Sequence, residues 1–177
     1  MISVEKFEIH MHSTFSDGEF TPTKLVDIAK TNGVSTLCLT DHDTFGGIQE
    51  FITAAEAEEI FAFPGIEITV RYRGFNLHLL AYFESANSLS DELSHEVMNM
   101  ASKREQRMRE LINRLNEVVP EKFRGTIEYE SVRRAAEGVL ARPHLAKEMV
   151  RLGIVSTTHE AFDRYLVEHN VERKNLE

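Results

Sequence analysis

His10 and His12 stand two apart in Phe7-Glu8-Ile9-His10-Met11-His12, a run that reads as a β-strand. Side chains two apart on a strand leave the same face, so both imidazoles point one way, just before the turn-like Ser16-Asp17-Gly18. Two imidazoles and a carboxylate could begin a metal site, although an H-x-H alone is more plainly a solvent-facing pair on an edge strand. Asp41-His42-Asp43 closes the next apolar run, at the kind of strand end where α/β folds gather ligands. Glu67 sits between Ile66 and Ile68, where an ionised carboxylate is costly unless paired or metal-bound; strand alternation would also let it face outward. His78 lies inside the apolar Phe75–Phe83 run, where a hydrogen-bonded core histidine is the ordinary reading. Singly these signals are weak. Gathered at successive strand ends, they point together to a centre built from nitrogen and oxygen donors.

The elements that must position these groups alternate between two periodicities. After the first strand, Thr21-Pro22 reads as an N-cap followed by proline at the first helical position. Leu25, Val26, Ile28 and Ala29 form that helix's apolar face, and Asn32-Gly33 stops it. Val34–Thr40 is a β-rich run leading into Asp41-His42-Asp43. An Ala- and Glu-rich helix is expected over Gly47–Ile60. Phe61–Phe63 begins a third strand that Gly65–Val70 continues, and Arg73-Gly74 turns the chain back into Phe75–Phe83 as a hairpin. This order favours an α/β sheet or barrel with active groups at the strand C-terminal ends.

The second half is helical. From about Ser90 to Val118 the stripe Leu93, Val97, Met100, Met108, Leu111, Ile112 and Leu115 repeats at helical spacing, and Pro120 ends it. Shorter helical patterns follow at Tyr129–Glu137, Pro143–Leu152 and His159–Glu168, and the polar tail Asn170–Glu177 reads as frayed. Lys103, Arg104, Arg107 and Arg109 fall among acids and read as a solvated face, as do the motif-free His95, His159 and His169.

Composition narrows the function. The 177 residues carry 20 Lys+Arg against 29 Asp+Glu, a formal net charge of −9, with 42% hydrophobic residues and a single cysteine. That balance argues against binding duplex nucleic acid through many phosphate contacts. It leaves phosphorylated substrates open, because a bound metal supplies positive charge locally. One cysteine excludes an internal disulfide or a CxxC-type metal site and fits a reducing, cytoplasmic setting; Cys38 reads as a small core residue. No cationic-then-apolar leader is evident, and no apolar run approaches the roughly 18–20 residues that span a bilayer.

The motifs also resemble a known family. His10-Met11-His12-Ser13 with Ser16-Asp17-Gly18, Thr40-Asp41-His42-Asp43-Thr44, Pro64-Gly65-Ile66-Glu67 and His78-Leu79-Leu80 look like the first four motifs of the PHP (polymerase and histidinol phosphatase) family. Ala141-Arg142-Pro143-His144-Leu145-Ala146 and Ala161-Phe162-Asp163-Arg164-Tyr165-Leu166 are similar to the subgroup that hydrolyses 3′,5′-nucleoside bisphosphates and trims short RNA from the 5′ end. The resemblance implies a distorted (βα)7-type barrel with an inserted helical subdomain: residues 1–88 as the N-terminal part of the barrel, 89–169 as the helical insertion and 170–177 as a tail. It implies two or three divalent ions (Mn, Fe or Zn), with His10, His12 and Glu67 on one, Glu67 and His78 on a second, and Asp17 and His42 on a third. Asp41 and Asp43 would support an imidazole through its other nitrogen.

Imidazole and carboxylate donors without thiolate suit such ions. Paired ions, about 3.5–4 Å apart in typical two-metal sites, clamp the attacking and leaving oxygens of a phosphoester and activate water, so no Ser or Cys nucleophile is needed. Arg142 and His144 are candidates for gripping a substrate phosphate, since a guanidinium meets phosphate bidentately; a helix-start pair around Pro143 is the alternative.

Members of the family carry further ligands in a C-terminal half, a His-Pro histidine and a final Asp-x-His. This sequence has no His-Pro dipeptide, and Val167–Glu177 contains no Asp. The expected barrel is therefore incomplete here, and an open barrel edge is a known route to self-association. Two functions follow as expectations. One is a metal-dependent phosphoesterase acting on a small nucleotide-like substrate, or short RNA. The other is a non-catalytic metal-binding domain acting in assembly or interaction.

Overall fold

The computed structural model describes residues 5–166. The expected tail over 170–177, His169 and the end of the last helical pattern lie outside the described residues. The chain divides into two compact units, Met1–Ala101 with Glu137–Val139, and Ser102–Ala136 with Leu140–Glu177.

The first unit holds a four-stranded sheet in the order β1-β2-β3-β4. Strands β1 (Phe7–Met11), β2 (Thr36–Leu39) and β3 (Phe61–Tyr72) run parallel, joined by helices α1 (Pro22–Thr31) and α2 (Ile48–Ala57). Thr21 caps α1 by accepting the Lys24 N–H, with Pro22 at the first turn. Val26 and Ala29 of α1, Leu37 and Leu39 of β2, and Ile48, Phe51 and Ala55 of α2 form one apolar cluster that glues the helices to the sheet. Cys38 is buried among these strands, as expected of a small core residue. Gly65 is required by close approach, since a Cβ there would stand 2.5 Å from Cys38 Sγ.

The third extended run continues through Pro64 without a break, and β4 (Phe75–Tyr82) returns antiparallel beside it. The Tyr72↔Phe75 pair closes a two-residue loop in which Arg73 (φ 50°) and Gly74 (φ 87°) both take positive φ, the geometry that matches strand twist in hairpins.

In the second unit, α3 (Asp91–Val118, which begins in the first unit) leads to α4 (Tyr129–Arg134), α5 (Arg142–Arg151) and α6 (Thr158–Ala161). The last helical pattern, expected over His159–Glu168, is found over the described residues as α6 followed by a π-helical turn at Phe162–Leu166. Met108, Ile112, Leu115, Val132, Leu145 and Met149 form the centre of that unit's core. Arg109, expected on a solvated face, lies over the Tyr129 ring with its guanidinium carbon 3.3 Å from the centroid. Among the described residues no helix is long and apolar enough to cross a membrane.

Candidate metal centre

β1 and β2 end at the site, whereas β3 and β4 pass through it, with Glu67 and His78 inside their strands. β1 ends at Met11, one residue before His12, and its pairing with β2 slips between Glu8 and Met11. His10 and His12 nevertheless point the same way, their rings 5.1 Å apart. Beyond β2, the Asp41–Asp43 segment runs alongside β3: Glu67 N–H donates to Asp41 O (3.2 Å) and Asp43 N–H to Glu67 O (3.0 Å). His42 thereby forms a parallel bridge with Glu67, and the His12 and His42 rings come within 4.7 Å of each other. β4 adds His78, whose ring lies 4.8 Å from that of His42.

Glu67 is the hub. Its carboxylate side chain is only 8% exposed. Oε2 lies 2.9 Å from Nε2 of both His10 and His12, and Oε1 lies 2.8 Å from Nδ1 of His78. Burial alone would raise the Glu67 pKa. The hydrogen bond from His10 and the imidazoles of His42, His12 and His78 outweigh it and hold the carboxyl below the usual range. His12 shows the converse balance: burial would lower its pKa, but the carboxylates of Asp17, Glu67 and Asp41 raise it.

Three overlapping triads result: His10-His12-Glu67, His12-Asp17-His42 and His42-Glu67-His78. Within each, one ligand atom per residue lies within 4.8 Å of the other two. All six residues singled out from the sequence are thus brought together. The grouping is tighter than the family resemblance implied, since His12 also joins Asp17 and His42, and His42 also joins Glu67 and His78. The donor set fits hard or borderline divalent ions, being imidazole nitrogen and carboxylate oxygen without sulfur. Nδ1 of His12 adds to that fit: it is buried and makes no well-formed hydrogen bond, with Asp17 Oδ1 at 3.2 Å.

Asp41 and Asp43 are buried beside the cluster. Asp41 Oδ1 accepts from Ser13 N–H (2.7 Å) and Ser16 Oγ (2.6 Å), and Oδ2 accepts from Ser13 Oγ (2.6 Å). Its side-chain bonds therefore go to the loop between His12 and Asp17 rather than to an imidazole. Asp43 sits at φ 50° and its Oδ1 accepts the Thr69 N–H at 2.7 Å, which pins β3 two residues past Glu67. Sequence reasoning missed Ser13 and Ser16 as partners of Asp41, although both stood in the quoted motif.

Arg142 and His144 belong to the second unit, at the start of α5. Arg142 Nη1 donates to Leu166 O at 3.1 Å. His144 is 6% exposed and its Nδ1 accepts the Ala141 N–H at 3.1 Å, so it caps the helix start. Of the motif-free histidines, His95 is exposed and His159 pairs with Asp163 on the surface.

Comparison with known proteins assigns the class. Residues 8–170 match the PHP domain, and the chain belongs to the PHP family. It is 32% identical over 163 residues to a 5′-3′ exoribonuclease of Haemophilus influenzae, covering 92% of this chain and 57% of that protein. It is 27% identical over 160 residues to a 3′,5′-nucleoside bisphosphate phosphatase of Chromobacterium violaceum, covering 90% and 54%. Among solved structures, a protein of Bifidobacterium adolescentis assigned as a metal-dependent phosphoesterase superposes with a TM-score of 0.80 at 28% identity, over 93% of this chain and 56% of that one. An amidohydrolase of Chromobacterium violaceum with bound sulfate and no metal gives 0.79 at 26%, over 92% and 56%. The expected α/β fold of this family is thus found, and the chain spans about half the length of the curated relatives it matches.

Proposed function

We propose that this chain is a metal-dependent PHP phosphoesterase that hydrolyses a phosphate ester of a small nucleotide-like substrate, such as a 3′,5′-nucleoside bisphosphate or the end of a short RNA. The observation that carries the reading is the set of three triads sharing His12, His42 and Glu67. Divalent ions, whether manganese, iron or zinc, would supply Lewis acidity toward phosphoester oxygens and activate water near neutral pH. Glu67 lies within reach of two triads and His12 of two, so these residues would hold neighbouring ions at a fixed spacing.

The protein's own groups then have distinct tasks. Asp41 fixes the His12–Asp17 loop and Asp43 fixes the Glu67 strand. Arg142 offers a guanidinium to a substrate phosphate, and His144 beside it is the second candidate for that contact. Two of the relatives named above act on phosphorylated nucleotides or RNA ends, and a third holds sulfate, another tetrahedral oxyanion; these support the substrate class. A reducing, cytoplasmic setting belongs to the same reading, supported by the lone buried Cys38.

The test is phosphate release from a 3′,5′-nucleoside bisphosphate by the full chain with manganese. Turnover that is lost in His12→Ala supports the proposal. Bound metal without turnover would instead assign a non-catalytic, metal-binding role in assembly.

A further inference from the structure

The loop Ser13–Gly18 joins two donors of the centre, His12 and Asp17, and Phe15 stands at its middle. Two separate devices hold Phe15. Its ring packs into a notch at Gly46 and Gly47, where an added Cβ would come within 2.8 Å and 3.1 Å of ring carbons. Its carbonyl accepts the Val139 N–H at 2.8 Å. At that second contact the two backbones touch: a Cβ on Gly138 would stand 2.0 Å from Phe15 O and 2.6 Å from Phe15 C and Cα. Side-chain adjustment cannot relieve a clash with backbone, so glycine is required by close approach. The three residues Glu137–Val139 interrupt the second unit in sequence and belong to the first.

We infer that Glu137–Val139 is a positioning strap for the metal-bearing loop, setting the separation of His12 and Asp17 from outside the donor set. The inference rests on the metal-centre reading above. Asp41 grips the loop at Ser13 and Ser16, and the strap grips it at Phe15, so the residues between the two donors are held from two directions. Neither Gly138 nor Val139 offers a side-chain ligand, and their effect is on geometry alone.

The experiment is manganese titration of the 177-residue chain and of Gly138→Ala and Val139→Pro, each with thermal unfolding of the metal-free protein. Amide exchange across the strap, read by mass spectrometry with and without manganese, is added for the wild type. Gly138→Ala forces the two backbones apart, and Val139→Pro removes the donated N–H without adding a Cβ at Gly138. Both variants are expected to fold and to bind manganese roughly 10–100-fold more weakly, the range seen when groups that orient ligands are lost. Manganese is expected to slow exchange at the Val139 amide in the wild type. Folded variants that bind manganese as the wild type does overturn the inference. So does Val139 exchange that is indifferent to metal, and this wild-type measurement decides alone if neither variant folds. Wild-type protein that binds no manganese overturns the metal-centre reading itself, a failure distinct from loss confined to the strap variants.

Discussion

Glu67 Oε1 lies 2.8 Å from His78 Nδ1, although the two residues are not direct cross-strand partners: Glu67 pairs with Leu80 and His78 with Thr69. The contact is a diagonal one across the antiparallel β3–β4 pair, within reach of long side chains on the same face. Because Glu67 Oε2 faces His10 and His12, this single carboxylate links the parallel half of the sheet to its antiparallel edge.

His78 sits at that edge with its side chain 41% exposed, so His78→Ala should change unfolding free energy by no more than about 0.5–1 kcal/mol. It should remove the His42-Glu67-His78 triad and leave His10-His12-Glu67 intact. Elemental analysis of variant and wild type is expected to show a reduced but non-zero metal content in the variant.

Asp41→Ala should be far more disruptive. Asp41 is 2% exposed and accepts three hydrogen bonds from Ser13 and Ser16, so its loss strands buried donors at about 1–3 kcal/mol each. We expect a net destabilisation of roughly 3 kcal/mol or more, against ~1 kcal/mol for Ser16→Ala, in urea unfolding of the metal-free chain.

These two cases show what could be read from sequence. Part of the cluster was legible from local properties: His10 and His12 share a face by spacing alone, and Asp41-His42-Asp43 marks a strand end by composition, whereas Glu67 and His78, which lie within β3 and β4, were joined to them by the family resemblance. The hairpin was legible from Arg73-Gly74, whose positive φ values a two-residue turn demands. What was not legible depends on tertiary approach. Nothing in Ser13 or Ser16 announces Asp41 as their acceptor, and nothing in Glu137–Val139 marks it as the partner of Phe15. The final helix was expected but its π-helical turn was not, since apolar spacing does not distinguish an α-helix that continues from one that widens at Phe162.

Cys38 provides a pH test away from the metal ligands. Burial pushes its thiol from an ordinary value of 9.0 up to about 12. Between these values the unfolded chain ionises and the folded chain does not, so this group's contribution is intact below pH 9 and declines as pH rises toward 12. Denaturant unfolding at increasing pH should show a steeper alkaline loss of stability in wild type than in Cys38→Ala. The native thiol should also resist alkylation at pH 8.

Arg142 is proposed to act on substrate and not on metal. Arg142→Ala should therefore leave metal content unchanged while raising KM for a nucleoside bisphosphate roughly 10–100-fold, the loss expected when a charged hydrogen-bond donor to phosphate is removed. Equal loss of metal and of substrate affinity would assign Arg142 a structural role through its bond to Leu166 O.

The central claim is that six side chains, from β1, β3, β4 and the loops after β1 and β2, hold divalent metal, with Glu67 shared between two of the three triads. Its most direct test is elemental analysis of the purified chain after exposure to manganese and removal of free ion, alongside Glu67→Gln. Wild type should retain at least one ion per chain, and Glu67→Gln, which keeps the shape but loses the shared charge, should retain markedly less. A folded wild-type chain that retains none, or a Glu67→Gln chain that retains as much, would contradict it.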